Sequence, residues 1–449
     1  MILREVLKPF LKKGMGRWDD DIHDKNEDEP LNKKSRTGES SFPDRNSAIV
    51  NASGSHREAR DNTKRDTFTT GKHSVPMVTA QAQDQVLRDS LLNGCRSVDN
   101  YQPLNFIDQG SFGMVFRAKC LQSGKIYAIK QVKLGSSVTS KFGFPITALR
   151  EANVLQMLDH PSIVKLREIV YGSTMDKIYF VMEHVGQDLR EVMSLLQKNK
   201  SSGPAFSLGE IKQLFAQLLS AVAYLHKHSF IHRDIKTTNL LYAPESGRLT
   251  LCDFGLARRI GNKTTQVLTF EVVTLWYRDP ALLLGERAYG SGVDIWSCGC
   301  ILGELLSGNV LLPGQGEVDQ MRMICALLGT PTERDWSGVT QKPNYALMIG
   351  DKIVKSGDKP IGDHAAAKSS DTPLKDCLEL RQIKQRFHHA RGGAADTMFL
   401  SEVGCDLLAS LMRYDPNLRI AARAALDHPW LKEQPVCTPA ALMPTVFAL

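Results

Sequence analysis

Hydrophobic and polar positions divide the chain into stretches with different patterns. Residues 1–100 mix Asp, Asn, Ser, Lys and Arg with few aromatic residues and no sustained apolar period. Such a stretch buries too little apolar area to offset its conformational entropy, so it predicts a disordered N-terminal tail. From Tyr101 the apolar residues form short runs bounded by turn residues, which is typical of β-strands.

The short runs predict an antiparallel meander. Runs at Phe106 and Val115 flank a glycine-rich turn, and another begins at Tyr127 after a Ser-Gly turn. A helix is predicted over 146–158, and apolar residues over 178–182 predict a further strand. These elements would form a small antiparallel sheet with one helix.

The rest of the chain follows helical spacing. Ser207 and Glu210 have the spacing of a helix capping box, and apolar residues at intervals of three and four continue to Leu225. A second apolar helix is predicted over 293–306, where Gly308 would end it. Strands first and helices second indicate an α+β fold with two unequal lobes.

Composition and charge exclude several classes of protein. The chain has 449 residues, 42% of them hydrophobic, and its net charge of +7 is too small to require a nucleic-acid partner. The nine cysteines lack paired metal-binding spacing, which indicates free thiols in a reducing compartment. No apolar run reaches the roughly 18 residues of a membrane helix, so no membrane partner is expected. A polar stretch from about 343 to 385 is typical of a surface insertion.

The segment from His232 to Asn239 carries residues suited to phosphoryl transfer, which requires a held nucleotide, a neutralised γ-phosphate and an in-line hydroxyl. Asp234 would accept the proton of the substrate hydroxyl, and Lys236 would stabilise charge on the transferred group. Asn239 and Asp253 would hold Mg²⁺ through hard oxygen ligands. The fixed offsets between these residues make a chance match remote.

A glycine loop and a lysine would bind the phosphates of ATP. Gly110 and Gly113 lie between two predicted strands, where their backbone can approach phosphate oxygens. Lys130 would contact the α- and β-phosphates, and Glu151 on the predicted helix would pair with Lys130 and orient it.

From about Tyr101 to Leu431 these motifs resemble the eukaryotic protein kinases. The run Pro-Ile-Thr-Ala-Leu-Arg-Glu that ends at Glu151 is similar to the cyclin-facing helix of cyclin-dependent kinases, and the C-terminal end is most similar to the PITSLRE-type subfamily. The resemblance implies a bilobal kinase fold in the domain 101–431. The N-lobe would span 101–182, the hinge 183–188 and the C-lobe 189–431. A C-terminal tail would follow the domain over 432–449.

The resemblance also implies roles for single residues. The ATP site would include Ile107, Gly110, Gly113, Val115, Ala128, Lys130, Met182, Glu183, Val185, Asp188 and Asn239. Thr269 matches the activating phosphothreonine, whose phosphate would be bound by Arg150, Arg233 and Arg258. A substrate loop that favours proline after the target residue would contain Val273, Thr274 and Arg278.

The function that the resemblance implies is that of a cyclin-dependent Ser/Thr kinase using ATP and Mg²⁺. Its partners would be a cyclin, of the L type, protein substrates with Ser/Thr-Pro sites and an upstream activating kinase. We expect it in the nucleus, with the cytoplasm as a further location, in control of transcription and RNA processing or of the cell cycle.

Three departures from the family pattern stand out, and one of them is Ser111-Phe112 in the glycine loop, where many cell-cycle members have Thr-Tyr. Asp108 stands where the glycine loop usually begins with glycine, and we interpret this position as lying on the strand, away from phosphate. Asp279-Pro-Ala281 stands where the family has Ala-Pro-Glu, so the arginine that matches Arg419 loses its usual glutamate. We predict that Asp279 leans toward Arg419 and replaces that glutamate, because an unpaired buried arginine is costly.

Other functions stay open. Asp108 and Ala281 motivate a pseudokinase scaffold, although every residue named above for phosphoryl transfer is present. A mitogen-activated-type kinase would need Thr-x-Tyr in the activation loop, whereas Phe and Glu follow Thr269. Nucleic-acid binding by the tail would be additive. Cys252, just before Asp253, is interpreted as a small buried filler rather than a reactive thiol.

Overall fold

In the part of the chain that the structure describes, the N-terminal lobe contains a six-stranded sheet and one α-helix. The computed structural model describes residues 95–110, 113–132, 146–173, 177–198, 203–261, 274–349, 383, 387 and 400–445. The strands of this sheet are β1 (Arg96–Ser97), β2 (Tyr101–Gly110), β3 (Gly113–Cys120), β4 (Ile126–Gln131), β5 (Leu166–Tyr171) and β6 (Ile178–Glu183). Their order is β1-β5-β6-β4-β3-β2, and the helix is α1 (Ile146–Met157).

The predicted meander is confirmed, since β2, β3 and β4 pair antiparallel in sequence order. The other pairs of this sheet are also antiparallel, except at one edge, where the two-residue strand β1 runs parallel to β5. Arg96 holds this edge through Nε, which donates to Glu168 Oε2 at 2.9 Å, and Val98 is buried beside it. Residues 95–100 therefore belong to the folded lobe and not to the predicted tail, the rest of which lies outside the described residues.

The C-terminal lobe is mainly helical. Its helices are α2 (Leu189–Lys198), α3 (Leu208–Lys227), α4 (Pro280–Leu283), α5 (Gly292–Ser307), α6 (Glu317–Leu328), α7 (Tyr345–Met348), α8 (Glu402–Leu411) and α9 (Ala422–Leu426). Both predicted helix signals are present: Glu210 accepts a 2.7 Å hydrogen bond from the Ser207 N–H, and Gly308 ends α5 at φ +74°. Within the described residues, no helix is both long and apolar enough to span a membrane.

Short strand pairs on the C-lobe frame the segment from His232 to Asn239. The strands are β7 (Gln187–Asp188), β8 (Phe230–Ile231), β9 (Leu240–Ala243), β10 (Arg248–Leu251) and β11 (Arg258–Arg259). β9 pairs with both β7 and β10, and β8 pairs with β11. Because β8 precedes the segment and β9 follows it, both of its ends are fixed. Below it, α3 and α5 lie in the core, where Trp296 of α5 is fully buried.

The predicted insertion begins later than its expected start at about 343. Asn344 donates from Nδ2 to the Leu283 carbonyl oxygen at 3.0 Å, and Met348 and Ile349 are buried. Residues 343–349 thus pack into the C-lobe because they carry apolar side chains to its core. Ile383 and Phe387, the two described residues of the following stretch, are also buried.

The C-terminal segment packs on the C-lobe, although the sequence placed residues 432–449 beyond the kinase domain. Thr438 N donates to the Gly209 carbonyl oxygen at 3.0 Å, and the Tyr242 hydroxyl donates to the Pro444 carbonyl oxygen at 2.7 Å. Met443 is buried between these contacts. The described part of this segment, up to residue 445, therefore continues the folded lobe.

Candidate active site

The catalytic loop, from His232 to Asn239, is held by a buried aspartate of α5. Asp294 Oδ2 accepts the His232 N–H and its Oδ1 accepts the Arg233 N–H, both at 2.9 Å. Arg233 has a left-handed backbone conformation with φ +68°, which a side-chain-bearing residue adopts only where its surroundings fix it. Sequence reasoning missed Asp294, for which the available signal was an acidic residue in the first turn of an apolar helix.

Asp294 is kept in its charged form by the groups around it. Burial raises the pKa of this carboxyl group, but the hydrogen bond and charge of His226, the charge of His232 and the Arg233 N–H together lower it below its usual value. His226 Nε2 lies 2.9 Å from Asp294 Oδ2. An anion is therefore available to bind the two backbone N–H groups of the loop.

Asp234 lies at the centre of a group of predicted residues. Its Oδ1 accepts hydrogen bonds from the Thr274 N–H at 3.2 Å and the Thr274 hydroxyl at 3.1 Å. Its Oδ2 lies 2.8 Å from Lys236 Nζ and accepts a 3.0 Å bond from Asn239 Nδ2. Burial raises the pKa of Asp234, but the hydrogen bond and charge of Lys236 outweigh it, so the pKa is lowered overall. Asp234 is therefore a carboxylate that can accept a proton.

Lys130 on β4 and Glu151 on α1 form the predicted ion pair. Lys130 Nζ donates to the two carboxylate oxygens of Glu151 at 2.7 and 2.9 Å, and it lies 3.3 Å from Asp253 Oδ1. Burial lowers the pKa of Lys130, but the charges of Glu151 and Asp253 raise it overall. The lysine is thus a buried cation that faces the segment carrying Asp253.

The segment around Asp253 is positioned by the catalytic loop. Asp253 has a left-handed backbone with φ +60°, and Phe254 packs edge-on against His232 with ring centroids 4.8 Å apart. His232 Nε2 also lies 3.0 Å from the Cys252 carbonyl oxygen. Burial and the neighbouring Asp253 charge raise the pKa of the Cys252 thiol far above its usual value. The raised pKa fits the interpretation of Cys252 as an unreactive thiol, although the residue is half-buried and not fully buried.

The oxygen atoms that Asn239 and Asp253 offer as ligands fit a magnesium ion. Asn239 Nδ2 donates to the Asp234 carbonyl oxygen at 2.8 Å, so the amide nitrogen is engaged and the amide oxygen is left to act as a ligand. The Asp253 carboxylate is 30% exposed and lies 3.3 Å from Lys130 Nζ. Carboxylate and amide oxygens suit Mg²⁺, which usually completes its shell with phosphates and water. Among the described residues no cluster of three or more His, Cys, Asp or Glu could hold a metal alone.

The residues predicted to contact the nucleotide lie on the N-lobe sheet and continue into the hinge. Val115 of β3 pairs with Lys130, and Ala128 of β4 pairs with Met182 at the end of β6. Gly113 has φ +151°, and a Cβ there would lie 1.9 Å from the Gln131 carbonyl oxygen, so glycine is required. The strand positions of the other predicted contacts are Ile107 and Gly110 on β2, Glu183 on β6, Val185 after it and Asp188 on β7.

Asp108 lies on β2 opposite Val115 and is exposed, so it is on the strand as predicted. Burial raises the pKa of Asp188, and the Asp108 charge adds to that effect against the hydrogen bonds that Asp188 accepts from its own backbone neighbours. The Asp108 and Asp188 carboxylates are therefore close enough for the charge of one to raise the pKa of the other.

Three arginines lie near one another beside the catalytic loop. Burial lowers the pKa of Arg258, and the charges of Arg150 and Arg233 lower it further. Arg258 Nε is buried and has no hydrogen-bond partner within the part of the chain that the structure describes. Thr269 and Val273 lie outside the described residues, while Arg278 donates to Glu317 Oε1 at 2.6 Å.

The predicted pairing of Asp279 with Arg419 is confirmed. Arg419 Nη2 donates to Asp279 Oδ1 at 3.1 Å, and its Nη1 binds the other carboxylate oxygen. Ala281, at the position of the family's glutamate, is fully buried in α4.

Comparison with known proteins gives consistent matches. The protein kinase domain model matches residues 101–431. Cyclin-dependent kinase G-1 of Oryza sativa subsp. indica is 41% identical over 360 residues, which are 80% of this chain and 46% of that protein. Cyclin-dependent kinase 11.1 of Caenorhabditis elegans is 39% identical over 83% of this chain and 46% of its own length. Serine/threonine-protein kinase PITSLRE of Drosophila melanogaster is 40% identical over 79% of this chain and 33% of its own length. The chain spans less than half the length of these relatives.

Proposed function

The chain belongs to the protein kinase family, and from this membership we propose that it is a cyclin-dependent serine/threonine kinase that transfers the γ-phosphate of ATP to protein hydroxyl groups. The observation that carries the proposal is the joining of the Lys130–Glu151 pair to Asp253, beside the Asp234 and Lys236 cluster. This arrangement would supply a cation for the nucleotide, a metal-binding carboxylate and a proton acceptor for phosphoryl transfer.

Each residue has a step in the proposed reaction. Lys130, oriented by Glu151, binds the phosphates of ATP. Asp234 orients the substrate hydroxyl and accepts its proton, while Lys236 stabilises charge on the transferred phosphoryl group. Asp253 and Asn239 would hold Mg²⁺, which neutralises phosphate charge when bound. Thr274 fixes the Asp234 carboxylate through two hydrogen bonds, so that the acceptor oxygens keep one orientation.

We propose that a cyclin of the L type binds at α1. Leu149 and Met157 on this helix are each 53% exposed, which is unusual for large apolar side chains and typical of a covered interface. Glu151 lies on the same helix, so pressure on α1 would act directly on the Lys130 pair. Affinity purification of the chain from nuclear and cytoplasmic extracts, with identification of bound cyclins, tests the partner and the proposed nuclear location together. Recovery of another cyclin class, or of none, would contradict this part of the proposal.

The three arginines support activation by phosphorylation. Their mutual repulsion and the unpartnered Arg258 Nε would both be relieved by a phosphate on Thr269, added by an upstream kinase. We propose that the activated enzyme prefers Ser/Thr-Pro sites and serves transcription and RNA processing or the cell cycle. A peptide with Ser-Pro should be phosphorylated faster than its Ser-Ala counterpart, and Thr269→Ala should slow both.

The decisive experiment is peptide phosphorylation by the purified chain with cyclin, ATP and magnesium. The wild type should transfer phosphate, and Asp253→Asn should abolish transfer while the protein stays folded. If the wild type transfers none, the pseudokinase scaffold is the better description. The Asp279–Arg419 pair weakens that alternative, because the substitution at Ala281 does not leave the arginine unpaired.

A further inference from the structure

The hinge between the lobes carries an ion pair that has no part in the proposed chemistry. Arg248, the first residue of β10, donates from Nη2 to Glu183 Oε1 at 2.5 Å and from Nη1 to Glu183 Oε2 at 3.4 Å. Glu183 ends β6 and begins the hinge. The pair thus joins the N-lobe end of the hinge to a C-lobe strand with two parallel hydrogen bonds, which fix orientation as well as distance.

The pair closes a ring of chain segments that contains predicted nucleotide contacts. The hinge leads from Glu183 to β7, where Asp188 pairs with Leu241 of β9. β9 pairs in turn with β10, with Arg248 opposite Ala243, and the Arg248 side chain returns to Glu183. We call this the hinge ring: residues 183–188, β9, β10 and the Arg248 side chain.

The other sides of the hinge ring are the covalent chain and the backbone ladders that join β7, β9 and β10. The Glu183 N–H donates to the Lys165 carbonyl oxygen at 3.0 Å. Gly186 has φ +125°, and a Cβ there would lie 2.4 Å from the Tyr242 carbonyl oxygen, so the hinge backbone touches β9 directly. The Arg248 pair is the side of the ring that depends on side chains. Residue substitution can therefore open the ring at this point without touching the backbone ladders.

The hinge ring contains three of the predicted nucleotide contacts: Glu183, Val185 and Asp188. Asp253, the predicted metal ligand, follows β10 by two residues. Fixing β10 against the hinge sets the adenine, ribose and metal positions relative to one another. A misplacement in any of them costs binding or rate, because the reactive groups must be held in one geometry.

We propose that Arg248 is a positioning residue for ATP: by holding Glu183 it fixes the hinge for nucleotide binding. The inference rests on the proposed kinase function. The side chains of Arg248 and Glu183 are 29% and 38% exposed, so solvent screens the pair and the effect on affinity is moderate. Arg248→Met should raise the KM for ATP about 3- to 5-fold and change kcat less than about 2-fold.

Charge reversal separates positioning from simple loss of a side chain. Glu183→Arg alone should raise the KM for ATP as Arg248→Met does, and Glu183→Arg with Arg248→Glu should restore most of the wild-type value. Arg248→Lys should lie between the wild type and Arg248→Met, since lysine keeps the charge but loses the two-point geometry. The matched control is Arg322→Met, which removes an exposed ion pair to Asp319 on α6 and should leave the KM for ATP unchanged.

Displacement of a fluorescent ATP analogue by ATP supplies a readout independent of catalysis. If the wild type binds no nucleotide, the proposed function fails. If the wild type does bind nucleotide, the two variants are compared. The positioning role is overturned if Arg248→Met has the same affinity for ATP and the same KM for ATP as Arg322→Met. A lowered Tm in Arg248→Met with an unchanged KM would likewise overturn it, because that result describes a structural pair only.

Discussion

Asp279 and Arg419 form a buried ion pair that ties the N-terminus of α4 to the C-terminal part of the C-lobe. The two side chains are 0% and 1% exposed. Asp279 Oδ1 also accepts the Ala281 N–H at 2.7 Å, and Arg419 Nε donates to the Arg413 carbonyl oxygen at 2.7 Å. The carboxylate is thus supplied two positions before Ala281, and the buried arginine remains neutralised.

Removing Asp279 should therefore destabilise the fold. Breaking one side of a buried ion pair leaves an uncompensated charge, so Asp279→Ala should lower the free energy of unfolding by about 3–5 kcal/mol. Asp427→Ala, which breaks the exposed pair to Arg423 in α9, should cost less than about 1 kcal/mol. Denaturant unfolding of both variants measures the difference, and equal losses would contradict the role of Asp279.

A double-mutant cycle tests whether the effect arises from the pair itself. Arg419→Met combined with Asp279→Ala should cost less than the sum of the single changes, because no unpaired charge remains. Additive losses would show that Asp279 acts mainly as the cap of α4.

The residues that we propose to carry chemistry could be picked out from the sequence because they stand at fixed offsets in short motifs. Lys130, Asp234 and Asn239 are examples, and the Asp279–Arg419 pair followed from the same motif with one substitution. The contacts of Asp294 and Arg248 could not be predicted in this way. Each depends on two segments that lie far apart in sequence, and neither apolar period nor turn residues indicate which strand or loop will face them.

The same limit explains the misplaced boundaries. Arg96–Ser97 joins the sheet because Arg96 meets Glu168, which lies 72 residues later in the chain. The polar composition of the segment alone assigned it to the tail. Residues 343–349 likewise fold because Met348 and Ile349 reach a core formed by other helices. In both cases tertiary contact overrides local composition.

A small change in the Lys130–Glu151 pair should have a large effect on catalysis. Glu151→Gln removes the charge that orients Lys130 and should lower kcat/KM for ATP about 10²-fold. Asp159→Asn, which alters the exposed pair to Lys165, should leave kcat/KM unchanged. Steady-state kinetics with one peptide substrate compare the two variants. A similar kcat/KM in Glu151→Gln and the wild type would show that Lys130 needs no partner.

Cys252 should resist alkylation although it lies beside Asp253. Because burial raises the pKa of its thiol far above the usual value, almost no thiolate forms near neutral pH. The exposed Cys95 should react first with iodoacetamide, and Cys252 labelling should stay low even as the pH is raised to about 9, where an ordinary thiol is largely ionised. Peptide mapping of the labelled protein distinguishes the two sites. Faster labelling of Cys252 than of Cys95 would identify a reactive thiol.

Asp294 predicts how stability depends on pH. Its folded-state pKa is below the ordinary value of about 3.9, so it contributes stability that is fully present above about pH 4 and is lost as the pH falls through the folded pKa. Asp294→Asn removes the anion that binds the His232 and Arg233 N–H groups, so it should destabilise the fold at pH 7 and flatten the loss of stability in acid. Unfolding free energies measured from pH 7 to pH 3 test both effects, with Asp427→Asn as the exposed control. If Asp294→Asn keeps the acid dependence of the wild type, then another carboxyl group is responsible for it.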